Sequence, residues 1–188
     1  MPKNKVKYGL KNAHYAVLTE GENSDTYGTV KPWPGMVKLS LNKVGTVTPF
    51  IADDMEYHRA GKNGGYDGTL ECAEWPEELD VDVFGEVVDG DGVSFERSEM
   101  PQKAIALLFE FEGDVHAIKR CLHKCFLTKP NIESEATTQP TVKTNVFNIQ
   151  SRPNRAGYVQ AKTTSTTTSE KVANWYSAVP TYVTPIGG

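Results

Sequence analysis

The chain has 188 residues, with 24 acidic and 20 basic side chains for a formal net charge of −4, a length that suits one domain with an extended arm or appendage. Hydrophobic residues make up 38%, alongside 16 glycines and 11 prolines, which favours strands and turns over a helical bundle. Three cysteines, no Asn-x-Ser/Thr sequon and a charged start without an apolar run argue against a secreted disulfide scaffold and for synthesis in the cytoplasm, and no apolar run is long enough to span a bilayer.

In chain order, Ala13 to Leu18 (AHYAVL) reads as the first strand, followed by a polar GENSD turn. Met36 to Leu41 alternates Val37, Leu39 and Leu41 against Lys38 and Ser40, the pattern of a half-buried strand. Val47 to Ile51 continues it, with Pro49 marking an edge or irregular stretch. The glycines of Arg59 to Gly65 (RAGKNGG) predict a loop. Tyr66 to Trp75 then sends Leu70 and Cys72 to one face and Asp67, Thr69 and Glu71 to the other. Pro76-Glu77-Glu78 opens a helix whose apolar face is Leu79, Val83 and Phe84, with Gly85 as its stop.

Asp89-Gly-Asp91-Gly, between Val87-Val88 and Val93 to Phe95, predicts a hairpin. Ile105, Leu107, Phe109 and Phe111 alternate with Ala106, Leu108 and Glu110 in the most hydrophobic strand, which belongs at the centre. Arg120 to Thr128 and Thr141 to Ile149 are two further strands. Thr163 to Ser169 (TTSTTTS) reads as a flexible connection, and Ser169 as the N-cap of a short helix over 170–178. The expected fold is mainly β: an antiparallel β-sandwich or barrel-like domain over 13–162 with one flanking α-helix. An arm over 1–12 precedes it, and a linker, a short helix and a C-terminal arm over 163–188 follow.

Charge is unevenly spread. Ile51 to Met100 carries 15 acidic and 3 basic side chains, a net −12, which leaves 17 basic and 9 acidic elsewhere, a net +8. The acidic block either solvates loops and a helix start or forms a surface facing something it must not bind. General affinity for a nucleic-acid backbone is disfavoured, because phosphate binding needs clustered Lys and Arg.

No residue pattern carries a catalytic, metal or cofactor signature. Cys121, His123 and Cys125 are good zinc ligands by type, and on a regular strand they share one face. Alternate residues there lie roughly 6.6 Å apart, too far for one ion with bonds of about 2.0–2.3 Å to reach all three. A calcium loop starting at Asp89 would place Val93 and Met100 where ligands are required. Asp53, Asp54 and Glu56 form a carboxylate cluster, but the adjacent aspartates point to opposite faces of a strand. No nucleophile elbow, phosphate loop or dinucleotide fingerprint is present.

Six segments, taken in order, resemble the major tail proteins of siphophages that infect Gram-positive bacteria. They are VKYGLKNAHYAVLTE, PWPGMVKLSLN, GYDGTLECAEWPEELDVDVFGE, KAIALLFEFEGD, CFLTKP and VANWYSAV, and together they span nearly the whole chain. The resemblance implies a β-sandwich with a flanking helix that assembles into hexameric rings, stacked as a hollow tail tube in the virion. It implies a non-enzymatic structural protein whose partners are further copies of itself, a tape-measure protein and tail terminator and tip proteins. DNA would pass through without specific binding, and no cofactor or membrane is involved. On this reading Tyr57, His58, Arg59, Lys62, Asn63 and Tyr66, in or beside the Gly-rich loop, are candidates for contact with a neighbouring subunit. Asp53, Glu56, Asp67 and Glu71 are candidate lumen-facing acids that would repel DNA phosphates. A monomeric binding module on a virion or cell surface is the alternative, and a hydrolase built on Asp53 and Glu56 is a third reading.

Overall fold

A computed structural model describes residues 10–52, 55–99, 101–111, 118–133 and 143–184, with backbone alone for 46–52 and 55–60. The fold is mainly β and antiparallel, with two short helices among the described residues. Among the described residues eleven strands form: β1 (Leu10–Glu20), β2 (Asp25–Tyr27), β3 (Lys31–Pro32), β4 (Met36–Ala52), β5 (Met55–Cys72), β6 (Val87–Val88), β7 (Ser94–Phe95), β8 (Ile105–Phe111), β9 (Lys119–Thr128), β10 (Asn145–Arg152) and β11 (Gln160–Lys162). Helix α1 spans Glu77–Asp82 and α2 spans Ser169–Ala173.

Alternation drives the sheet, whose order is β2-β1-β8-β9-β10-β5-β4. The sheet then curls almost into a barrel. β3 pairs with β1 at His14 and Tyr15, and the chain runs straight from it into β4 at the opposite end of the strand order. Along that seam Trp33 N donates to Ala13 O and Ala73 N donates to Gly35 O, both at 2.8 Å. The barrel interior holds Tyr15, Trp33, Leu70, Cys72, Ile105, Leu107, Phe109, Leu122, Cys125, Leu127, Phe147 and Ile149, all buried. Leu79 and Val83 bring α1 against this core, as its apolar spacing predicts. The opposite face of β1, β8 and β9 is covered by the segment containing α2, through Trp175 and Val179 packed on Ala16, Ala106, Leu108 and Cys121. β8 is therefore buried on both faces, which is why its sequence is apolar at nearly every position.

Phe147 is the junction of the interior. Its ring meets Trp33 edge-on at 5.4 Å, Trp75 edge-on at 5.4 Å and Phe84 stacked at 6.2 Å. Trp33 in turn meets Tyr15 at 6.0 Å. Such pairs add roughly 0.5–1.5 kcal/mol each beyond burial itself.

Five sequence expectations are corrected. Arg59 to Gly65 is no loop but part of β5, paired to β4 from Lys43↔Tyr66 through Pro49↔Arg59 and on to Ala52↔Met55. Its glycines are absorbed at a register shift opposite Val44 and Gly45 and by close backbone approach. A Cβ on Gly65 would lie 1.9 Å from Ser151 O, at a φ of +108°. A similar shift between Met36 and Lys38 leaves Val37 exposed at 49%, and Met36 joins Leu39 and Leu41 against the core instead. The threonine run is a hydrogen-bonded turn: Lys119 N donates to Thr163 Oγ1 and Thr164 N to Thr167 Oγ1, both at 2.9 Å. α2 is capped by Thr168, whose side chain accepts from Lys171 N, and it ends at Ala173, so it starts one residue early and stops short of 178. β1 begins at Leu10, inside the stretch read as a leading arm.

Truncating Phe147→Ala removes the junction, and we expect a loss of about 3–5 kcal/mol of stability in urea unfolding. Gly65→Ala should cost at least about 2 kcal/mol, whereas Gly90→Ala, with nothing within 4 Å of an added Cβ, should change the urea midpoint little.

Candidate functional site

The feature with the most unused bonding capacity is the far part of the β4–β5 hairpin. β10 pairs with β5 only from Tyr66 to Cys72. From Met55 to Gly65 β5 pairs with β4 alone among the described residues. This is a two-stranded ribbon about 30–35 Å long at roughly 3.3 Å per residue. Neither long edge of it has a strand partner among the described residues, so rows of backbone N–H and C=O groups stand open.

The sequence candidates distribute unevenly around this ribbon. Tyr57, His58 and Arg59 lie on its β5 strand, opposite Phe50 and Pro49 in register as far as His58 and Arg59 are concerned. Lys62 and Asn63 are exposed near its base, and Asn63 Oδ1 accepts from Gly65 N at 3.2 Å. Tyr66 is half-buried and packs against the interior core. Asp53 lies outside the described residues, and Glu56 is placed only as a strand residue paired with Ile51.

Asp67 and Glu71 do share the outward face of β5, as alternation predicts. Their cross-strand neighbours on β4 are Asn42 and Lys38, and on β10 Gln150 and Val146. Asp67 is paired with Arg152 at 2.5 Å, and Glu71 accepts from Thr144 Oγ1 at 2.6 Å. Lys124, opposite Arg152, adds a further cation, so this face is not net acidic.

Several carboxylates of the −12 block are paired with cations from the rest of the chain, at Lys31, Lys129 and Arg152. Lys129 Nζ binds Glu86 and reaches Asp80 at 3.2 Å and Glu96 at 3.4 Å. Lys31 binds Asp82 at 2.5 Å, which also accepts from the buried Tyr15 hydroxyl at 3.3 Å. Asp80 accepts from Trp75 Nε1 at 3.0 Å. Hydrogen bonds from Lys129 and then Ser94 hold the Glu86 carboxyl below its usual range, against the opposing effect of burial. Partial burial works against charge on Lys129, but the hydrogen bonds to Glu86 and Asp80 outweigh it and raise its pKa.

The Cys121–His123–Cys125 trio does not share a face, contrary to expectation. β9 changes phase where Ile105↔Cys125 and Leu107↔Leu122 fall out of step with β8. Cys125 therefore points into the barrel core, whereas Cys121 joins the outer cluster under Trp175. Burial pushes the Cys125 thiol up to about 12 and raises Cys121 as well. The Asp89 segment forms the expected hairpin, its Oδ1 accepting from Asp91 N and Val93 N at 2.9 Å.

One site had no warning in the sequence. β10 and β11 both run along the same edge of β9, ending at Arg152↔Lys124 and resuming at Gln160↔Leu122. The intervening 153–159 leaves the sheet as an excursion. With the β1–β2 turn, His123 and residues 180–182 it encloses a cleft of about 380 Å³. The only local signal is the turn-forming Pro153-Asn154 and Gly157.

No family model matches the chain, and no curated protein matches it. Among the described residues no helix is long and apolar enough to cross a membrane.

Lys129→Met should cost about 2 kcal/mol at neutral pH by removing the cation that Asp80, Glu86 and Glu96 share. Because the folded pKa of Glu86 lies below its ordinary 4.5, its contribution is present above that value and lost as pH falls through the lower folded value. Wild-type stability should therefore drop across this acidic window, and the drop should be shallower in Lys129→Met, measured by urea unfolding from pH 7 to 3.

Proposed function

We propose that this chain is a structural subunit that assembles through the β4–β5 ribbon into closed rings, stacked as the tube of a long-tailed phage, through which DNA is conducted. The observation that carries this reading is the length of ribbon whose two edges have no strand partner among the described residues. An isolated two-stranded hairpin is marginally stable in water, and an open edge of this length is an aggregation hazard unless it is paired. Joining the β4 edge of one copy to the β5 edge of the next continues the antiparallel order. The contact is head-to-tail, and such contacts form rings when the rotation closes. Closure pairs every edge at once and turns the ribbons into a barrel around a central channel. The ordered likeness of six segments to siphophage major tail proteins supports the same assembly, with hexameric rings and a tape-measure protein as the occupant during growth.

The compact part of the chain supports a structural role. Its acids are engaged in α1 and the β5 face with Lys31, Lys129 and Arg152, rather than gathered around a concave reaction centre. On this reading the ribbon lines the channel and the curled sheet forms the outer wall.

Wild-type protein should form rings or tubes in negative stain at raised concentration, with a concentration-dependent sedimentation coefficient. Replacing residues 47–61 by Asn-Gly joins Thr46 to Lys62, which face each other in register. This variant should stay folded by circular dichroism and remain monomeric. A wild type that stays monomeric across salt and concentration, or a ribbon-less variant that still assembles, would sink the proposal.

A further inference from the structure

The cleft beside the 153–159 excursion is a built site rather than a gap between loops. At about 380 Å³ it falls at the small end of ligand pockets, which span roughly 300–1,000 Å³. Its walls are fixed before any ligand arrives. Tyr158 N donates to Asn154 Oδ1 and Arg155 N to Asp25 Oδ2, both at 2.8 Å, and Arg155 Nη1 donates to Gly21 O at 2.7 Å. Gly157 takes a φ of +84° to make the turn. Walls held this way lower the ordering cost of binding.

His123 lines the cleft from β9. It is 4% exposed, and its Nδ1 is buried with no hydrogen-bond partner. At the mouth of the cleft Tyr158 and Tyr182 stack on each other, with ring centroids 5.2 Å apart and planes 25° apart. They remain 39% and 62% exposed, so the stacked pair keeps an aromatic face open at the mouth.

Charge narrows the ligand class. The lining carries one carboxylate, Asp25, and one guanidinium, Arg155, already joined through the Arg155 backbone, and burial disfavours the charged form of His123. A strongly anionic or cationic ligand finds no surplus of opposite charge. An aromatic pair beside amide, carboxylate, guanidinium and imidazole groups suits a ring with an apolar C–H face and a polar rim. We infer that this cleft binds an uncharged saccharide, one ring stacking on the Tyr158–Tyr182 pair and its hydroxyls bonding the Asn23–Asp25 turn. The site lies on the compact domain and does not depend on ring assembly.

The test is titration of ¹⁵N-labelled full-length protein with methyl glycosides of glucose, galactose and mannose and with N-acetylglucosamine, with inorganic phosphate as the charged arm. At least one sugar should shift the amides of 23–25, 154–158 and 180–182, with a dissociation constant of about 1–10 mM. Tyr182→Ala should weaken it at least about tenfold and Tyr182→Phe by less than about threefold, with β8 and β9 amides unmoved in both. The proposal is overturned if no sugar shifts these amides at about 50 mM. Shifts that persist unchanged in Tyr182→Ala, or phosphate binding there in place of the sugars, overturn it equally.

Discussion

Every long-range feature of this protein depends on the convergence of Trp33, Trp75 and Phe84 on the ring of Phe147. Those four residues come from the seam segment, the entry to α1, its exit and β10. A twisted antiparallel sheet does not close by itself; it needs interior volume filled from both ends of the strand order. Phe147 supplies that fill from the middle of β10, and Trp33 supplies it from the seam. Closure in turn directs β4 away along β5 and fixes where the ribbon leaves the barrel.

The glycines and the charges serve this closure rather than mobility. At Gly65 the chain passes Ser151 too closely for any side chain, at the point where β10 stops and the ribbon begins. The acidic helix α1 packs on the core with its polar side turned to Lys31 and Lys129, so carboxylates near the barrel interior are satisfied by lysines distant in sequence. Part of the acidic block is thus paired internally, with Lys31, Lys129 and Arg152. Among the described residues, backbone along the ribbon edges and the tyrosine-lined cleft stay open to partners.

Local pattern was legible where burial follows a simple period. The alternation of β1 and β8, the inward Leu70 and Cys72, the acidic start of α1 and the Asp89 hairpin all lie where their residues indicate. It misled where one residue alters the phase. Gly64 and Gly65 look like loop punctuation, yet opposite Val44 they are the slack that lets a long strand continue. The shift in β9 separates Cys121 from Cys125 although their spacing puts them together on a regular strand. The threonine run has the composition of a linker, but its hydroxyls meet backbone donors only because Lys119 lies beside it. The cleft was invisible because its walls come from four places in the chain that no short-range pattern connects.

The sequence by itself determined the class of the fold and the direction of most side chains, because period-two alternation, turn residues and a dipole-matched helix start are local properties. Tertiary structure decided which strands share an edge, which edges stay open, and which charges find partners. Those outcomes depend on bulges and on contacts between distant residues, whose energies are set only when the sheet has curled around Phe147. The ribbon on which the proposed assembly rests belongs to this second group: its β5 edge has no strand partner among the described residues beyond the point where β10 ends at Arg152.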